Sequence, residues 1–107
     1  METRVQTILS ELRGLLEACY GERLKRLVLF GSQARGDAEP GSDIDVLVVL
    51  AGPVDSAEED KRTSDMLYDL MCSHDCILIS CVFMDEDRFT TRNGPLLRNI
   101  RREGVSI

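Results

Sequence analysis

Residues 27–50 read LVLFGSQARGDAEPGSDIDVLVVL, and this stretch decides the fold. Leu27 to Phe30 are large apolar residues that close a strand beginning at Leu24. Gly31-Ser32 ends it. The small, polar stretch up to Ser42 has room for one short helix around Gln33–Arg35. Ile44 to Leu50 forms a second strand, whose near-continuous Val and Leu content predicts that both faces are covered. Gly31 has no Cβ, so a ligand can approach the backbone there. The N–H groups of such a turn suit a phosphate, and the Ser32 hydroxyl can donate to a phosphate oxygen. Asp43 and Asp45 stand two apart on a strand and share one face. Two carboxylates on an apolar strand repel each other and lose hydration. A divalent cation relieves both penalties. Mg²⁺ takes one or two carboxylates together with phosphate oxygens and water.

Toward the N-terminus, Val5, Ile8, Leu9, Leu12, Leu15, Leu16 and Cys19 recur at helical spacing over residues 3–19. Gly21 is a stop. Toward the C-terminus, Gly52-Pro53 breaks the chain. Asp55 followed by Glu58 resembles a capping box and predicts a helix over 55–74 that buries Met66, Leu67, Leu70 and Met71. Cys76 to Met84 reads as a third strand and Asp85 to Phe89 as a short helical turn. Pro95 and Gly104 bracket a last helix carrying Leu96, Leu97 and Ile100. The order α-β-(turn/α)-β-α-β-α predicts an α/β (α+β) fold, a small three- to four-stranded mixed sheet with helices packed on it. At 107 residues, a single domain over 1–107 is expected.

Thirteen Lys+Arg against 19 Asp+Glu give a net charge of −6. Affinity for long nucleic acid comes largely from neutralised phosphates, so a DNA or RNA substrate is disfavoured. One nucleotide stays compatible, because a metal offsets its charge. No apolar run approaches the ~20 residues of a membrane span, and Met1 to Gln6 carries no signal core. A cytoplasmic location without a membrane partner is expected, and there cysteines stay reduced. Cys76 and Cys81 fall in an apolar run and read as small buried hydrophobes. A structural zinc on Cys72, His74, Cys76 and Cys81 is the weaker reading, because Cys72-x3-Cys76 lacks the usual ligand spacing. His74 reads as a helix C-terminal group. Arg98, Arg101 and Arg102 favour the dipole of the last helix, with contact to nucleotide phosphates or an acidic partner face as the alternative. Arg35 could equally form a surface pair with Asp37 or Glu39.

Taken together, Gly31, Ser32, ten intervening residues, Asp43 and Asp45 resemble the signature of the minimal nucleotidyltransferases of the DNA polymerase beta superfamily. Ala34, Arg35 and Gly36 match a run frequent in that family. The resemblance implies nucleotidyl transfer, with ATP as substrate and Mg²⁺ or Mn²⁺ as cofactor. It places Asp43 and Asp45 as catalytic metal ligands and Gly31, Ser32, Arg35 and Ser42 around the nucleotide. Standalone members are often antitoxins paired with a helical HEPN-type toxin, so such a protein is the expected partner. In that setting some members transfer AMP to a tyrosine of the toxin. The alternative is an antitoxin that binds nucleotide and neutralises its partner by contact alone. A homo-oligomer is left open.

One departure is visible. Active members present a third carboxylate from the next strand, yet the run from Cys76 to Met84 contains no Asp or Glu. Ser80 stands nearest the expected place. Asp75 before the strand and Asp85 after it are the other acids close by, though register argues against both.

Overall fold

The computed structural model describes residues 2–107. Helix α1, Thr3–Tyr20, runs to Gly21, whose φ of 54° ends it. A single 3-10 turn leads into β1, Leu24–Phe30. A one-turn helix α2, Ser32–Arg35, and a loop precede β2, Ile44–Leu50. Then come α3, Ser56–Ser73, β3, Ile79–Asp85, α4, Glu86–Thr91, α5, Pro95–Glu103, and β4, Val105–Ser106. The sheet order is β3-β2-β1-β4. β1 pairs antiparallel with β2 and β4, while β2 pairs parallel with β3. The expected mixed sheet with packed helices is the observed architecture.

Alternation along the strands divides the core in two. Ile44, Val46, Val48 and Leu50 of β2 join Leu27 and Leu29 of β1 against the buried stripes of α1 and α3. Leu47, Val49 and Val28 face the other way, against Leu97 and Ile100 of α5. This two-sided cover explains why β2 is apolar at nearly every position. Asp45 lies on the α5 side of the sheet, on the same parity as Leu47 and Val49, and is half-buried there.

The Asp55 side chain accepts from the backbone N–H groups of Ala57 and Glu58 and so caps α3. The buried residues of α3 include Glu59 and Thr63 as well as Leu67 and Leu70. Glu59 is satisfied by the Tyr20 hydroxyl at 2.8 Å and by Arg62 at 3.0 Å, which ties α1 to α3. Apolar periodicity alone does not reveal a buried carboxylate of this kind.

Two expectations need correction. The third strand begins at Ile79, not Cys76. Asp75 and Cys76 both have positive φ, 57° and 59°, and the Cys76 N–H turns back to the Met71 carbonyl. Reversing the chain out of α3 uses residues that the apolar run had assigned to the strand. Cys76 is therefore exposed rather than buried. Cys81 does point into the α1–α3 core, where burial pushes its thiol up to about 12. The short β4 was not foreseen: two exposed residues carry no strand pattern of their own.

Candidate functional site

β1 delivers the chain to the site at Phe30, which pairs with Asp45. Gly31 follows at φ 76°, ψ −159°. Its carbonyl accepts from the N–H groups of Ala34 and Arg35, both at 3.1 Å, which starts α2. A Cβ at residue 31 would sit 2.5 Å from Oδ2 of Asp45. Glycine is thus required twice, by the backbone angle and by the carboxylate packed against it. Gly36, at φ 82°, closes the single turn. The first N–H groups of that turn have no partner within the helix.

The return loop is held at two points. The Gln33 side-chain amide donates to the Ser42 carbonyl at 3.2 Å, and the Ser42 N–H donates to the Glu39 carbonyl at 3.0 Å. Ile44 then joins the sheet by donating to the Leu78 carbonyl at 2.9 Å. Asp43 is exposed and Asp45 half-buried. Among the described residues neither carboxylate has an ion pair or a side-chain hydrogen bond. Burial, and then the charge of Asp43, hold the Asp45 carboxyl above the usual carboxylate range.

Ser80 of β3 stands directly opposite Asp45 in the parallel register. Paired residues of parallel strands point to the same face, so the exposed Ser80 side chain projects toward the Asp45 side of the sheet. Asp75 lies on the reversing turn, 3.7 Å from Arg4. Asp85 pairs with Leu50, five positions further along and about 16 Å away at the strand rise. It caps α4 through a 2.7 Å bond from the Arg88 N–H. Among the described residues no group of three or more His, Cys, Asp and Glu is placed to hold a metal. Two carboxylates so placed suit one Mg²⁺ that arrives with phosphate oxygens and water as its other ligands. They do not make a cage that holds a metal by itself.

Arg35 lies 3.2 Å from Asp37 and 3.4 Å from Glu103, so it joins α2 to the end of α5. Asp37 was one of its two expected partners; Glu103 was not foreseen, because 68 residues separate it from Arg35. Gln33 was also missed as a positioning residue. Its only sequence signal is a polar side chain inside a turn. His74 caps α3 as expected, and its ring lies 2.6 Å from Glu11. Arg101 donates to the carbonyls of Phe89 and Arg92 and to Asn93, and so clips the α4–α5 connection. Arg98 is exposed and makes no ion pair among the described residues.

The nucleotidyltransferase domain family matches residues 8–94, and the chain belongs to it. A relative from Methanocaldococcus jannaschii, named "Putative protein adenylyltransferase MJ0604", is 33% identical over 97 residues, covering 90% of each chain. A second from the same organism, with the same description and the designation MJ0141, is 40% identical over 43 residues, covering 40% of this chain and 43% of that one. The fold is shared with the crystal structure of a putative nucleotidyltransferase from Sulfolobus solfataricus, at TM-score 0.56 and 21% identity over 96% of this chain and 80% of that one. It is also shared with a chain from a crystal structure of a toxin-antitoxin with AMP-PNP, at TM-score 0.58 and 18% identity, covering 96% of this chain and 68% of that one. Among the described residues no helix is long and apolar enough to cross a membrane.

Proposed function

We propose that this chain transfers AMP from ATP to a hydroxyl acceptor on a HEPN-type toxin partner in the cytoplasm. The observation that carries this reading is the contact of Gly31 with the Asp45 carboxylate, which sets a side-chain-free turn beside an unpaired acidic pair. The N–H groups after Gly31 and the Ser32 hydroxyl bind the phosphates. Asp43 and Asp45 would hold the Mg²⁺ or Mn²⁺ that accompanies ATP, and when bound it would supply positive charge against the triphosphate and the pyrophosphate. Ser42, fastened by Gln33, fixes the loop that presents Asp43. Arg35, released from Asp37 and Glu103, contacts the nucleotide. The acceptor oxygen bonds to the α-phosphorus, the P–O bond to pyrophosphate breaks with its electrons staying on pyrophosphate, and the hydroxyl proton passes to water.

A nucleotide-bound toxin-antitoxin of the same fold and a relative named as a protein adenylyltransferase support both the nucleotide and the protein acceptor. Ser80 opposite Asp45 favours a second reading, an antitoxin that binds nucleotide and acts by contact. Co-purification of this chain with its partner from the native source, incubation with Mg²⁺ and ATP, and intact mass of the partner separate the two. A mass increase of one AMP, lost in Asp45→Asn, supports transfer. An unmodified partner that still binds this chain leaves the contact reading.

A further inference from the structure

We infer that the site takes a single divalent cation, brought in with the nucleotide, and that Ser80 stands where a carboxylate for a second cation would have to be. The inference rests on the nucleotide-site reading above and deepens it.

Three observations lead there. Asp45 and Ser80 are direct partners in the β2–β3 register, so their side chains leave the sheet side by side. The nearby acids on either side of β3 are committed elsewhere, Asp75 beside Arg4 on the reversing turn and Asp85 as the cap of α4. Glu103, the acid that reaches α2 from α5, lies against Arg35 and Arg102. What stands beside Asp45 is therefore Asp43 and a neutral hydroxyl, that of Ser80.

Charge and ligand number then decide the count. Two divalent ions about 3.5–4 Å apart would have to share two carboxylates. One ion uses the pair fully and completes its shell with phosphate oxygens and water. A serine hydroxyl adds neither charge nor a strong oxygen ligand. The acceptor proton then passes to water.

The experiment counts bound Mn²⁺ by electron paramagnetic resonance at saturating non-hydrolysable ATP analogue. Wild type is expected to bind one equivalent and Ser80→Asp two, with Ser80→Asn remaining at one. Melting curves show which variants are folded. Two equivalents in wild type overturn the inference, and so does one equivalent in a folded Ser80→Asp. If Ser80→Asp does not fold, the wild-type count alone decides. Loss of analogue binding in wild type is a different failure: it removes the nucleotide-site reading and the inference with it.

Discussion

Gly31 and Asp45 occupy each other's space: the Asp45 Oδ2 lies 2.5 Å from where a side chain at residue 31 would begin. A strand end and a neighbouring strand start are fitted together with no room between them. Backbone and carboxylate are thus one unit, and a change at either residue disturbs both.

Gly31→Ala tests this contact. The positive φ strains any other residue by about 1–3 kcal/mol, and the methyl pushes the Asp45 carboxylate aside. Urea melts should show that loss. Made in an Asp45→Ala background, the same substitution should cost at least about 0.5 kcal/mol less, because the steric part is gone. Strictly additive losses would mean that the two residues do not touch.

Asp45 also sets a pH dependence. Burial and Asp43 raise its folded pKa above the ordinary value of 3.8. The folded protein then binds more protons than the unfolded chain between those two values, so stability falls as pH rises through that window. Asp45→Asn removes the penalty. Its Tm should exceed that of wild type at neutral pH without metal, and the difference should vanish below the ordinary carboxylate range. A variant less stable than wild type at neutral pH contradicts the assignment.

The loop depends on Gln33. Gln33→Ala removes the bond to the Ser42 carbonyl and should lower stability by about 0.5–1.5 kcal/mol. Hydrogen exchange at the backbone N–H groups of Gly41, Ser42 and Asp43 should quicken, while the amides of β1 keep their protection. Unchanged exchange in the loop would show that other contacts hold it.

Tyr20→Phe probes the buried link between the helices on the other face. The Glu59 carboxylate loses its 2.8 Å donor and keeps Arg62. A buried acceptor left short of a partner costs about 1–3 kcal/mol. Glu59→Gln, which keeps an acceptor for the phenol, should cost less than Tyr20→Phe.

The sequence carried the strands well because β1 and β2 are apolar on both faces and bounded by Gly and Pro. It also carried the placement of Gly31 against Asp45, since spacing along one hairpin brings the end of β1 to the start of β2. Ser80 was found through register against Asp85–Phe89, and the β2–β3 pairing places it opposite Asp45. What stayed hidden depends on distant contacts. Glu103 reaches Arg35 from the last helix, and Tyr20 meets Glu59 across two helices. Cys76 was misread because an apolar run does not show where a chain reverses, and here the reversal uses two positive-φ residues without glycine.

The central claim is that nucleotide phosphates lie at the Gly31-Ser32 turn with their metal on Asp43 and Asp45. Calorimetric titration of a non-hydrolysable ATP analogue with Mg²⁺ tests it most directly. Wild type should bind. Asp43→Asn and Asp45→Asn should each weaken binding by at least about 10–100-fold, the range seen when even an outer partner of a metal ligand is lost. Gly31→Val should abolish it, while Ser32→Ala, which loses one bond to a charged group, should cost roughly 1.5–3 kcal/mol. Equal affinities for wild type, Asp45→Asn and Gly31→Val, all folded, would contradict the account.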